Sequence, residues 1–287
     1  MRIGVPVFWF TDLLNHIGKG AGESYPKQVL EAATQGFQHI ELVLNTHYFF
    51  PDPNQLFSKE CIQALLELKE QFKLTYSVHL PFWSVDPSSH IDEIRNATVE
   101  TMACLIENVI ELDPITYVLH ATGEFAAEAN KMKLPPEQKE FLIKFFANNS
   151  RNFVKQLVKN LSELGVSSKK LALESVKFPF KFSIEMAEEF DTSLCIDVGH
   201  ILAGYTTDVN IKEAFQLSKD RISEIHIHDV VKRMDDGKLF IKDHMPLGSG
   251  ILDTKEVFGL LKEAKFCGPL VLELKFEDAV SSKKLII

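Results

Sequence analysis

Carboxylates and imidazoles end a series of short apolar runs in this sequence. Leu-Ala-Leu precedes Glu174, and Leu-Val-Leu precedes Glu273. A buried carboxylate with no cation beside it is costly, so both glutamates require positive charge nearby. Divalent metals bind carboxylate oxygens and imidazole nitrogens, so the series predicts a divalent metal, zinc or manganese. Six successive runs end in such a residue, namely His79, His120, Glu174, Asp197, the pair His226 and His228, and Glu273.

Each of these residues has a simpler interpretation when it is considered alone. A single histidine such as His79, His120 or His226 is more often a hydrogen-bonded core or loop residue than a ligand. Glu41, in Ile-Glu-Leu, is as easily a solvated group at the rim as a ligand. The metal hypothesis therefore rests on the succession of six runs, which chance explains poorly.

The runs belong to an alternation of extended and helical patterns along the whole chain. Nearly continuous apolar runs are typical of strands covered on both faces, as in parallel sheets. Eight of them with helical patterns between favour an α/β fold, a single-domain (β/α)₈ TIM barrel over residues 1–287. In that barrel the carboxyl ends of the strands meet at one mouth, where active sites form. The eight runs are Ile3–Phe8, His39–Leu44, Leu74–His79, Thr116–His120, Leu171–Glu174, Leu194–Asp197, Ser223–His228 and Pro269–Leu274.

Helices are expected between these runs. The first should begin after Ser24 as its N-cap and end at Gly36. The segment Gly18-Lys19-Gly20-Ala21-Gly22 before it lacks the Gly-Lys-Ser/Thr ending of a phosphate loop and indicates a flexible barrel loop. The other predicted helices are Asn54–Phe72, Ile91–Leu112, Pro135–Leu164, Ile184–Phe190, Ile211–Leu217 and Thr254–Ala264.

Composition, net charge and cysteine spacing argue against nucleic-acid-binding, membrane and secreted classes of protein. The chain has 287 residues, 45% of them hydrophobic, and a formal net charge of −9, which disfavours non-specific binding to nucleic acid or an anionic membrane. No stretch reaches the roughly 18 apolar residues of a membrane helix, and residues 1–7 form a strand pattern rather than a signal peptide. The four cysteines, Cys61, Cys104, Cys195 and Cys267, form no CxxC pair. They predict mostly buried, reduced thiols in a cytoplasmic protein.

Four segments resemble one family of barrels. They are Ile196-Asp197-Val198-Gly199-His200 with Ala203-Gly204-Tyr205 after it, His226-Ile227-His228-Asp229, Asp243-His244-Met245-Pro246-Leu247-Gly248-Ser249-Gly250, and His79-Leu80-Pro81-Phe82. In this order they resemble the xylose isomerase-like barrel superfamily over nearly the whole chain. That superfamily includes sugar isomerases, sugar epimerases and the apurinic endonuclease IV family.

The resemblance implies a core metal site made of Glu174, Asp197, His226 and Glu273. In the endonuclease-type enzymes this site extends to three metals. His79 and His120 would then share one metal with Glu174.

The same resemblance implies a further metal or substrate contacts at His200 and at a loop histidine that His244 matches. The family's aspartate two residues before that histidine is Lys242 here. Asp243 is shifted by one, which in an extended segment turns its side chain to the opposite face. This departure argues against the third metal, and the lysine charge is an alternative to it. The residues expected to contact substrate or an additional metal are His200, His244, Lys242, His228 and Asp229.

Two chemistries are compatible with this site. The first is isomerisation or epimerisation of a sugar or sugar-like carbonyl compound, with Glu174 and Glu273 as an acid/base pair. The alternative is endonuclease IV-type, metal-dependent hydrolysis of a phosphodiester at abasic DNA sites, with Phe82 and Trp83 inserted into the duplex. We prefer the first, with both aromatic residues packed in the mouth. A barrel that binds metal or ligand without turnover is a third possibility.

Overall fold

The computed structural model describes residues 1–7, 25–45, 57–174, 176–206 and 208–286, apart from the side chain of Lys219. Our predictions for Ser24 and for the loop at 18–22 lie outside the described residues. The same holds for the start of the helix predicted from Asn54.

Eight parallel strands close into a barrel in the order β1-β10-β7-β6-β5-β4-β3-β2. This confirms the (β/α)₈ TIM barrel, and each of the eight apolar runs supplies one strand. The first strand is described as far as Val7, with Phe8 beyond it. The barrel strands are β1 Arg2–Val7, β2 His39–Val43, β3 Thr75–His79, β4 Tyr117–His120, β5 Leu171–Glu174, β6 Ser193–Asp197, β7 Ile222–Ile227 and β10 Pro269–Leu272.

Helices connect the strands and cover the outside of the barrel. Every helix predicted from the sequence is present, and each bound that falls in the described residues lies within a few residues of its prediction. Three short helices were missed, Glu124–Lys131, Val198–Ala203 and Phe276–Lys283. The described α-helices are α1 Tyr25–Thr34, α2 Lys59–Phe72, α3 Asp92–Val109, α4 Glu124–Lys131, α5 Pro136–Glu163, α6 Phe180–Phe190, α7 Val198–Ala203, α8 Ile211–Ser218, α9 Thr254–Glu263 and α10 Phe276–Lys283.

An antiparallel hairpin interrupts the alternation after β7. It consists of β8 (Asp229–Asp235) and β9 (Lys238–Met245). Asp236 and Gly237 form its tip with φ of 47° and 75°, the backbone of a tight two-residue hairpin turn. The sequence analysis missed this hairpin, although Asp-Gly between two extended segments is the usual signal for one.

The inside of the barrel contains polar groups that are paired with one another. The Ser77 hydroxyl donates to Oε1 of Glu224 at 2.8 Å, and Nε2 of His39 lies 2.9 Å from the same hydroxyl oxygen. All three side chains are fully buried. The hydrogen bonds among these groups offset the free-energy cost of burying them inside the barrel.

The described helices include none that is long and apolar enough to cross a membrane. All four cysteines are free thiols. Cys195 is buried and Cys61 partly buried, whereas Cys104 and Cys267 are exposed, so our expectation of mostly buried thiols was wrong for the last two.

A candidate metal and catalytic site at the barrel mouth

Glu174, at the end of β5, lies at the centre of the mouth among three imidazoles. Its Oε2 is 3.0 Å from Nε2 of His120 and 3.4 Å from Nε2 of His79. Its Oε1 is 3.0 Å from Nδ1 of His200. Burial alone would raise the pKa of Glu174, but the charges and hydrogen bonds of these histidines hold it well below its usual range. The carboxylate is therefore ionised.

The four residues of the implied core metal site come together around His226. Nδ1 of His226 lies 3.4 Å from Oε2 of Glu273 and 3.8 Å from Oε2 of Glu174. Asp197 ends the neighbouring strand β6 and is only 3% exposed. One ligand atom from each residue of this set lies within 4.8 Å of the others, the set being Glu174, Asp197, His226 and Glu273.

Several buried polar atoms at the mouth have no hydrogen-bond partner. A buried unsatisfied polar atom costs about 1–3 kcal/mol, so several of them in one place indicate a missing partner. A divalent cation fits, because it would contact carboxylate oxygens and imidazole nitrogens at once. The atoms are Oδ2 of Asp197, Nδ1 of His226 and Oε2 of Glu273.

The other histidines named from the sequence also reach the mouth. His79, His120 and Glu174 bring ligand atoms within 4.8 Å of one another. The same holds for the group of His200, His228, His244 and Glu273. Burial lowers the pKa of His244, but Asp243 and Glu273 outweigh it and raise that pKa to about 10. Burial also lowers the pKa of His79, but the carboxylates around this imidazole outweigh burial and raise the pKa to about 9.

Asp229 is not brought to these ligand atoms. Its fully buried carboxylate accepts four backbone N–H groups at 2.7 to 3.0 Å, and these contacts explain its burial without a metal or a substrate. The carboxylate holds the loop after β9 against the start of β8. The four donors are Val230, Gly248, Gly250 and Leu252.

Strand alternation predicts that Lys242 faces the mouth and that Asp243 faces away from it. The structure shows the opposite arrangement. Lys242 is exposed and pairs with Val231, whereas Asp243 lines the mouth cavity together with His244. The cause is a bulge, because Asp243 and His244 both lie opposite Val230 alone, with His244 at φ 50°. Alternation is therefore lost at this point, and our placement of Lys242 at the mouth was wrong.

A cavity of about 230 Å³ opens above the cluster. Phe82 stacks on His120 with ring centroids 4.7 Å apart, and Trp83 lies edge-on to Phe82 at 5.1 Å. Both aromatic residues line this cavity, as we preferred from the sequence. Tyr205 lines another part, and its hydroxyl is hydrogen-bonded to Asp243. The cavity therefore combines an apolar wall with a polar floor, as small-molecule sites do.

From the sequence Glu41 was as easily a solvated rim group as a ligand, and the structure contradicts the first of these alternatives. It is fully buried in β2, and its Oε2 lies 3.1 Å from Nε2 of His226. The pattern Ile-Glu-Leu is no signal for this role, because it does not tell which face of a doubly covered strand points inward.

Known proteins share this architecture. The sequence profile of the family described as "Xylose isomerase-like TIM barrel" matches residues 29–285. The chain belongs to this family. The resemblance seen in the four motif segments is thereby confirmed.

Individual relatives include proteins with and without a described activity. The chain is 25% identical over 277 residues to an uncharacterized protein of Methanocaldococcus jannaschii, covering 92% of this chain and 84% of that protein. It is 23% identical over 270 residues to an L-ribulose-5-phosphate 3-epimerase of Shigella flexneri, covering 90% and 85%. The crystal structure of a D-tagatose 3-epimerase-like protein has a TM-score of 0.72 at 22% identity, covering 100% of this chain and 96% of that one.

Proposed function

We propose that this chain is a divalent-metal-dependent epimerase or isomerase of a sugar or sugar-like carbonyl compound. The supporting observation is that Glu174 and Glu273 approach the same atom, Nδ1 of His226, at 3.8 and 3.4 Å. Glu273 lines the cavity of small-molecule size, and Glu174 contacts His120 and His200, which also line it. The similarity to sugar 3-epimerases supports a sugar as the substrate class.

Glu174, Asp197, His226 and Glu273 would hold the metal. When bound, it would polarise a carbonyl and the adjacent hydroxyl of the substrate and so lower the barrier to enolisation. Three carboxylates and one imidazole suit zinc or manganese.

The protein's own groups would move the proton. One of the pair Glu174 and Glu273 removes the proton from the carbon beside the carbonyl. The other carboxylate, ionised in the free protein, takes up a proton from solvent as substrate binds and returns that proton to the opposite face of the carbon. After turnover the two have exchanged protonation states, so the pair works in both directions. His200 and His244 line the cavity and would donate hydrogen bonds to substrate oxygens, while Phe82 and Trp83 exclude water from one side.

The proton transfer itself can be observed. The protein with Mn²⁺ would be incubated in D₂O with D-tagatose, L-ribulose and L-ribulose 5-phosphate, and products followed by NMR. We expect an epimer or isomer of at least one substrate to appear with deuterium on the carbon that changed. Absence of exchange with a broad panel of ketoses, aldoses and their phosphates would contradict the proposal. Folded Glu174→Gln and Glu273→Gln variants are the controls.

The phosphodiesterase alternative is tested in parallel. A duplex containing one abasic site is incubated with the protein and zinc or manganese. Binding that neutralises several phosphates must weaken by orders of magnitude between about 50 and 200 mM salt. Efficient cleavage that is lost in His120→Ala would replace the epimerase proposal.

A further inference from the structure

The imidazole of His226 has its two nitrogens in different surroundings. Nδ1 faces the mouth, where Glu174 and Glu273 lie 3.8 and 3.4 Å away. Nε2 faces the barrel interior and lies 3.1 Å from Oε2 of Glu41. The side chains of His226 and Glu41 are both fully buried. Only Nδ1 can therefore reach a metal held at the mouth.

A histidine binds metal through a nitrogen that carries no proton, so its other nitrogen carries one. For His226 the proton belongs on Nε2. A buried N–H without an acceptor is costly, so the identity of the acceptor decides whether the ring stays in this orientation.

Two buried carboxylates are near Nε2, and only one is available. Glu224 lies 3.9 Å away, too far for a hydrogen bond, and its two oxygens accept from the hydroxyls of Ser77 and Thr116. Glu41 lies within hydrogen-bond distance. Strands β1 and β10 separate β2 from β7 in the barrel, so this contact crosses the interior rather than joining neighbours.

We propose that Glu41 is a positioning residue, which accepts the Nε2 proton of His226 and thereby presents the Nδ1 lone pair to the metal. This inference rests on the proposed function for the identity of the ligand at Nδ1. The hydrogen bond itself does not depend on the metal. Carboxylates behind metal-binding histidines fix the ring and increase its basicity, and their loss typically costs about 10–100-fold in metal affinity.

The test uses Glu41→Ala, the isosteric Glu41→Gln, and Ser193→Ala as the control. Ser193 is buried in strand β6, and its hydroxyl is hydrogen-bonded to the backbone carbonyl of Leu171 and the hydroxyl of Ser223. In the metal-free protein, ¹⁵N-resolved NMR should show a slowly exchanging, downfield Nε2–H of His226, identified by its absence from His226→Gln. Glu41→Ala should lose this resonance. Glu41→Gln should keep it, shifted upfield, because a neutral acceptor forms the weaker hydrogen bond.

Mn²⁺ affinity, measured by calorimetry, is the second readout. Glu41→Ala should bind about 10–100-fold more weakly than the parent, Glu41→Gln should lie between them, and Ser193→Ala should match the parent. An unshifted Nε2–H in Glu41→Gln, or its persistence in a folded Glu41→Ala, overturns the inference. If the parent binds no Mn²⁺, the proposed function loses its metal, while the metal-free NMR comparison still decides the role of Glu41.

Discussion

His228 and His244 stack face to face, with ring centroids 4.1 Å apart and planes inclined by 14°. The backbone N–H of His244 donates to Nδ1 of His228 at 2.9 Å. Nδ1 is therefore an acceptor, and the proton of a neutral His228 belongs on Nε2, 3.2 Å from Oδ1 of Asp197. In this arrangement His228 connects Asp197 to His244 and has no lone pair free for a metal.

The position of His228 depends on the absence of a side chain at Gly199. A Cβ there would lie 2.0 Å from Cε1 of His228, and the ring is fully buried. We expect Gly199→Ala to lower the free energy of unfolding by about 1–3 kcal/mol, as overpacking does, and to weaken metal binding. Urea denaturation and metal analysis after dialysis measure the two effects.

Gly259→Ala is the matched control. Gly259 lies in α9, and a Cβ there would meet nothing within 4 Å. Alanine is the better helix former, so this variant should be more stable by about 0.5–1 kcal/mol and should bind metal like the parent. Equal behaviour of the two alanine variants would show that the contact with His228 is unimportant.

The pair Glu174 and Glu273 should be indispensable for both metal and chemistry. Glu174→Gln or Glu273→Gln removes a charged oxygen ligand that the others cannot replace. We expect loss of stoichiometric metal and at least about a 100-fold fall in deuterium exchange, with circular dichroism unchanged. Retention of the parent's metal content by either variant would refute the ligand assignment.

The sequence predicted most of the barrel because each strand is an apolar run closed by a distinctive residue. It predicted the convergence of His79, His120 and Glu174 for the same reason, since parallel strands end at one mouth. It could not place Glu41, because burial on both faces removes the alternation that tells inward from outward.

The error at Lys242 has a different origin. One extra residue in β9 reverses every later side chain, and no residue type in Lys-Asp-His indicates that bulge. The bulge is recognised from which residues of β8 and β9 lie opposite one another, and the sequence alone does not show this pairing.

Lys242→Asp should consequently change nothing at the mouth. Lys242 is exposed on the hairpin, so the variant should keep the parent's metal count and activity within about twofold. Asp243→Asn, in contrast, removes a charge 3.4 Å from Nδ1 of His244. It should lower the pKa of His244, observable by NMR titration. A gain of one metal in Lys242→Asp would mean that the bulge is absent.

Asp229→Asn should destabilise the hairpin loop without a direct effect on ligands. Its amide nitrogen cannot accept the two N–H groups, from Gly248 and Gly250, that now donate to Oδ2. If the amide turns over, Val230 and Leu252 lose their acceptor instead. Gly248 and Gly250 are exposed, so water can satisfy part of their loss, and we expect a decrease of about 1–3 kcal/mol in urea denaturation. A loss below about 0.5 kcal/mol would contradict the buried placement of this carboxylate.

The metal-free protein should lose stability as pH rises above neutrality. The pKa values of His79 and His244 are raised in the folded state to about 9 and about 10, from an ordinary 6.5. A raised pKa stabilises the fold fully below the unfolded value, and this contribution disappears as pH passes the folded value. Chemical denaturation in EDTA should therefore show a free energy of unfolding that falls between about pH 7 and pH 10. Each proton contributes at most about 1.4 kcal/mol per pH unit.

Two comparisons make this pH dependence specific. His79→Gln and His244→Gln should each flatten the profile, whereas His90→Gln, which replaces an exposed histidine, should leave it unchanged. Metal must displace the proton from any histidine that it binds, so Mn²⁺ affinity should increase over the same pH range. A profile in EDTA that is level from pH 7 to 10 would mean that these imidazoles are neutral in the metal-free mouth. The ion pairs of His79 with Glu174 and of His244 with Glu273 would then contribute nothing to stability.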